Sequence, residues 1–114
     1  MAEGYINRGL TREDVDSSRG ALVLEFGTDW CGFCHSAAPA VEEALSEFPS
    51  LRHVKIEDGP GRHLGRSFQV KFWPTLIILK DGREVARIVR PQNAEEIRAE
   101  LAKVHDVPTG GKLR

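Results

Sequence analysis

Cysteine is scarce in this chain: two of its 114 residues, both inside the stretch Trp30-Cys31-Gly32-Phe33-Cys34. A structural zinc centre needs more ligands than that pair supplies, and His35, His53, His63 and His105 lack the paired spacing that would complete one. Methionine occurs once, at the first position. Cys31-Gly32-Phe33-Cys34-His35 formally fits the C-x-x-C-H pattern of covalent haem attachment, but the second axial ligand a haem commonly takes from Met has no source here. Charge of either sign is not in excess, with 16 basic and 17 acidic residues, so neither nucleic acid nor an anionic membrane is expected as the main partner. No apolar run approaches the ~20 residues that span a bilayer. The leading Met1-Ala2-Glu3-Gly4-Tyr5-Ile6-Asn7-Arg8 lacks the basic and then apolar regions of a secretory signal. The expectations are a cytoplasmic address, no metal, no cofactor, and a monomer by default.

What is present is a pair of sulfurs three residues apart, directly after the apolar run Ala21-Leu22-Val23-Leu24-Glu25-Phe26 and at the mouth of a helix. At that spacing the two sulfurs can be bonded or free with little movement of the backbone, and a helix N-terminus stabilises a thiolate on the first. A staple would more usefully join distant segments, because a longer closed loop constrains the unfolded chain more. The stretch therefore reads as a reversible dithiol–disulfide switch. A redox-inert pair in a fold used only for binding is the competing reading.

The rest of the chain supplies one domain, residues 1–107, with 108–114 as a loose tail. Thr11 caps a short helix with acids in its first turn and Val15 as nearly its only apolar anchor. The run from Ala21 to Phe26 has the near-continuous apolar pattern of a strand covered on both faces, interrupted by Glu25. Ala37, Val41, Ala44, Leu45 and Phe48 recur at helical spacing, with Pro39 inside that helix. Leu51 to Ile56 is a second strand, and His63 to Phe68 a short helix after Gly59-Pro60-Gly61. Leu76 to Leu79 and Glu84 to Val89 flank Asp81-Gly82, a type I′ hairpin signal. Asn93 with Glu96 opens a last helix carrying Ile97, Leu101 and Val104. The order predicts an α/β fold: a central mixed sheet with helices on both faces.

On these features the chain resembles the thioredoxin family. Glu25-Phe26 followed by Trp30-Cys31-Gly32-x-Cys34 is similar to its acid-Phe before Trp-Cys-Gly-Pro-Cys. Pro39 stands at its helix-kinking proline, Trp73-Pro74-Thr75 resembles its cis-proline loop, and Lys80-Asp81-Gly82 its hairpin turn. The resemblance implies a thioredoxin fold and a protein-disulfide reductase in which Cys31 attacks a substrate disulfide and Cys34 resolves the mixed disulfide. It implies that Glu25 accepts the Cys34 proton, with a carboxyl raised by burial, although the family usually has Asp there. His53 falls where many members carry a Lys beside the buried acid, so it either pairs with Glu25 or is a surface histidine.

Substrate contacts are expected from Trp30, Gly32, Phe33, Trp73, Pro74, Thr75 and Arg90. Pro74 is expected to be cis, bringing the Trp73 backbone within reach of an extended substrate beside Cys31. Trp73 is either a platform or lid at the disulfide, or plain core with Phe72. Phe33 replaces the family's proline and is expected to shift the couple toward a weaker reductant. Arg90 is expected either to narrow the groove and favour acidic substrates or a glutathione carboxylate, or to point outward. The partners implied are disulfide-containing proteins, with a flavoprotein thioredoxin reductase or the glutathione system as electron donor. Glutathione-coupled or isomerase-type exchange, and a non-catalytic binding or chaperone module, are the alternative functions.

Overall fold

The structure, a computed structural model, describes residues 4–5 and 9–105, so the tail expected over 108–114 lies outside the described residues. Helix α1 (Arg12–Asp16) begins where the capping pattern puts it. The Thr11 hydroxyl accepts from the Asp14 N–H at 3.0 Å, and the Asp14 carboxylate accepts from the Thr11 N–H at 3.0 Å. Two otherwise unpaired donors are thereby satisfied.

Strand β1 (Ala21–Gly27) is the spine of the sheet. It pairs in parallel with β2 (Arg52–Glu57) on one side and antiparallel with β3 (Thr75–Lys80) on the other. Strand β4 (Arg83–Val89) closes a hairpin with β3, giving the order β2-β1-β3-β4. Asp81 and Gly82 both have positive φ, 51° and 82°, as the I′ turn requires.

Alternation along β1 divides the core into two layers. Leu22, Leu24 and Phe26 face the layer closed by Val15 of α1 and by Leu64 of α3 (His63–Ser67), with Phe68 just beyond it. Val23 faces the opposite layer, where Leu76, Ile78 and Ile88 meet α2 (Gly32–Ser46) and α4 (Ala94–His105). Pro39 sits within α2 without ending it. The predicted mixed sheet with helices on both faces is the observed architecture.

Glu25 and Gly27 share the parity of Val23, so both point toward α2. Phe26 lies opposite Thr75 in register, and Gly27 opposite Glu57. These pairings bring three segments to one end of the sheet: the start of α2, the 73–74 loop, and Asp58. No helix among the described residues is long and apolar enough to cross a membrane.

Candidate active site

Cys31 is the N-cap of α2, and its Sγ accepts the Cys34 N–H at 3.4 Å. Both thiols are free. Both are buried, Cys31 retaining 7% of its surface and Cys34 4%. The cover comes from Trp73 and Tyr5, which pack with the two cysteines in one small cluster. Burial pushes the Cys34 thiol up to about 11. Its contact with Cys31 adds to this, and the neighbouring Thr28 backbone and Tyr5 side chain oppose it. Cys34 therefore holds its proton at rest.

The Trp73–Pro74 peptide is cis, as expected. Pro74 and Thr75 are buried, and the Thr75 hydroxyl donates to the Phe72 carbonyl, tying the loop to its own start. Trp73 is not plain core. Its indole N–H donates to Asp58 at 2.8 Å, and its ring meets Trp30 edge-on with centroids 5.7 Å apart. Trp30 itself is 76% exposed, Phe33 57% and Phe72 53%, so an aromatic rim surrounds the nearly buried thiols. Gly32 is exposed, and a Cβ there would meet nothing.

Arg90 belongs to this rim. Its backbone is left-handed, φ 51°, and its N–H donates to the Pro74 carbonyl at 2.9 Å. Its Nε donates to the Trp73 carbonyl at 2.9 Å, and its guanidinium lies over Phe33 at 3.8 Å and near Phe72 at 5.0 Å. The outward-pointing alternative is thus overturned. The carbonyl of Trp73, part of the backbone expected to reach substrate, already accepts from Arg90.

Behind the cysteines, Glu25 is 2% exposed. His53 Nε2 lies 2.7 Å from its Oε1, and the Tyr5 hydroxyl donates to its Oε2. Of the two readings of His53, the pair is the one found. Burial alone would raise the carboxyl, as the sequence led us to expect. The hydrogen bonds of His53 and Tyr5, with the charges of His53 and Lys55, outweigh burial and hold it below the usual carboxylate range. The expected rise is therefore corrected to a fall.

Tyr5 was not among the expected site residues. It is buried between Glu25 and Cys34, with Lys55 Nζ 4.5 Å from its ring centre and its backbone N–H donating to Asp29 at 2.9 Å. Burial first, then the neighbouring Glu25 carboxylate, keep its phenol protonated. The one sequence signal for it was Gly27, since glycine ending a buried strand marks a close approach. A Cβ on Gly27 would lie 2.5 Å from the Cys34 sulfur and 2.8 Å from Tyr5 Cζ. Asp58 was also missed, and among the described residues no metal-binding cluster is formed.

Comparison with known proteins agrees with this geometry. The family described as Thioredoxin matches residues 7–103. Thioredoxin from Mycobacterium tuberculosis (strain H37Rv) is 37% identical over 92 residues, covering 80% of this chain and 79% of that protein. The structure of reduced thioredoxin 2 from Pseudomonas aeruginosa PAO1 is similar at a TM-score of 0.83 and 48% identity, over 91% of this chain and 96% of that one. A bifunctional thioredoxin reductase/thioredoxin from Mycobacterium leprae is 34% identical over 107 residues, covering 86% of this chain and 23% of that protein.

Proposed function

The chain belongs to the thioredoxin family and is a thiol–disulfide oxidoreductase, and from that premise we propose the roles of its residues in reducing protein disulfides. Cys31 attacks. It caps α2 at the free backbone N–H groups of the helix start, and it packs with Trp73 of the cis-Pro74 loop. Attack on a substrate disulfide joins Cys31 to one substrate sulfur and expels the other as a thiolate. Cys34 then attacks Cys31, closing the Cys31–Cys34 disulfide and releasing the second substrate sulfur. Two electrons pass from the dithiol to the substrate. Glu25 is the base toward which the Cys34 proton moves, and His53, whose side chain keeps 27% of its surface, links that base to solvent.

The observation that carries this reading is the free Cys31–Cys34 pair at the start of α2, with Cys31 Sγ accepting the Cys34 N–H. Trp30, Phe33 and Phe72 offer an apolar seat for the substrate around the sulfurs, and Gly32 lets the substrate backbone come close. Arg90, engaged with Phe33 and the Trp73 carbonyl, sets the width of that seat and gives it positive charge. Its engagement favours protein substrates over a glutathione carboxylate.

The electron donor in this reading is a flavoprotein thioredoxin reductase, since the Mycobacterium leprae relative carries reductase and thioredoxin in one name. The cytoplasm is the place this reading gives it, since a lone cysteine pair there is more often catalytic than structural. The test is reduction of insulin disulfides with dithiothreitol as the electron source. Cys31→Ser is expected to abolish it and Cys34→Ser to arrest it as a trapped mixed disulfide. An undiminished rate in Cys31→Ser overturns the reading. Recycling by a thioredoxin reductase and not by glutathione supports the donor, and the converse overturns that part.

A further inference from the structure

We propose that Tyr5 is a catalytic residue of this chain: its hydroxyl passes the proton of Cys34 to Glu25 as Cys34 resolves the mixed disulfide. The proposal rests on the roles of Cys34 and Glu25 given above, and adds the group that connects them.

The two are not bonded to each other. Glu25 spends its oxygens on His53 and Tyr5, and Cys34 packs with the Tyr5 side chain in one buried cluster. A phenol has one proton to give and lone pairs to receive with. Its proton is committed to Glu25 Oε2, so its oxygen is left to accept the Cys34 S–H. Tyr5 Cζ and the Cys34 sulfur crowd the same face of Gly27, where a methyl group would strike both. The ring is held in place from three sides. Asp29 takes the Tyr5 N–H, Lys55 of β2 lies over the ring, and Glu25 of β1 takes the hydroxyl. Three further titratable groups border this arrangement: Cys31 in the same cluster, His53 beyond Glu25, and His35, which donates to the Asp29 carbonyl.

The step balances within the site. The Cys34 S–H proton moves to the Tyr5 oxygen while the Tyr5 O–H proton moves to Glu25 Oε2. The Cys34 sulfur forms a bond to Cys31 Sγ, and the bond from Cys31 to the substrate sulfur breaks. Its electron pair leaves with the substrate as a thiolate. Tyr5 ends as it began, Glu25 ends protonated, and His53 offers the way out to water. In the resting dithiol the same transfer is uphill, because Cys34 binds its proton tightly and Glu25 binds one weakly. It becomes favourable only as the sulfur enters a disulfide bond and can no longer hold the proton. The relay thus keeps Cys34 silent until Cys31 carries a substrate.

Tyr5 is the only tyrosine of the chain, which makes the proposal testable without ambiguity. Stopped-flow reduction of dithiobis(nitrobenzoate) by the full chain releases one coloured thiolate on Cys31 attack and a second on Cys34 resolution. For Tyr5→Phe the first phase is expected to be unchanged. The second should slow at least ~10-fold near neutral pH and recover in alkali. Combining Tyr5→Phe with Glu25→Gln is expected to slow the second phase no further than Glu25→Gln alone, as two groups in series require. Fluorotyrosine at the single tyrosine, which keeps the ring and makes the phenol more acidic, is expected to move the second phase's pH profile to lower pH. A second phase unaltered by both changes overturns the relay, as does a fully additive double variant. If the wild-type chain shows no second release at all, it is the role of Cys34 that fails, and the relay with it.

Discussion

Arg90 and Phe33 are stacked, the guanidinium carbon 3.8 Å from the ring centre, while the same guanidinium donates to the Trp73 carbonyl. One side chain thus ties Phe33, one of the two residues between the cysteines, to the residue before the cis proline. Removing it in Arg90→Ala should cost about 1–2 kcal/mol, the sum of a partly exposed cation–π contact and one hydrogen bond. Arg90→Lys should not restore the loss, because an ammonium cannot lie flat on the ring and donate sideways together. Arg90→Gly should fare better than Arg90→Ala by about 1 kcal/mol, since φ is 51° there. Urea denaturation of the three variants checks the order.

The pairing of His53 with Glu25 makes a second prediction. The folded-state pKa of Glu25 is depressed, so its contribution to stability is complete above the usual carboxylate range and is lost as pH falls through the lowered value. His53→Ala removes one of the two hydrogen bonds on a buried carboxylate and should cost about 1–3 kcal/mol at neutral pH. His53→Lys keeps a cation there. It should therefore recover part of that loss at neutral pH. Urea denaturation of the two variants at neutral pH measures it, and equal losses in both refute it.

Cys34 works in the opposite direction. Its folded-state pKa is raised from 9.0 to about 11, so the reduced protein should lose stability as pH rises across that interval. The oxidised protein has no Cys34 proton to lose. Thermal melts of the two forms should therefore diverge between those pH values, with the reduced form falling faster. In Cys34→Ser the steeper fall should disappear.

Gly27 offers a fourth test. A methyl group there would lie 2.5 Å from the Cys34 sulfur and 2.8 Å from Tyr5 Cζ, neither of them able to retreat within a packed cluster. Gly27→Ala should destabilise by about 1–3 kcal/mol through overpacking and should slow resolution in the same stroke. Stability from urea titration and the second phase of thiolate release provide the two readouts.

Much of this was legible in the sequence, and unevenly so. The strands and helices follow from apolar spacing and caps, as Thr11 with Asp14 and the positive φ of Asp81 and Gly82 illustrate. The cysteines and Pro74 were legible because spacing and local geometry define them. Glu25 stands out as a charge in an apolar strand, but the direction of its pKa shift does not. Burial is visible in a sequence, whereas the two donors that outweigh it arrive from segments 20 and 28 residues away. Arg90 stands on a backbone conformation that its residue type does not announce. Tyr5 sits in a stretch with no periodicity, and the close approach it makes to Gly27 is seen only in the folded chain.

The position of Tyr5 separates two lengths that are easily taken for one. The family's pattern is matched over 7–103, and Tyr5 precedes that span. A version of the chain cut to those bounds would retain all four strands, both cysteines and the cis-proline loop, and by shape would pass as whole. It would lack the hydroxyl at Glu25 and the ring packed against Cys34. The stretch that identifies the fold is thus shorter than the stretch that completes the chemistry.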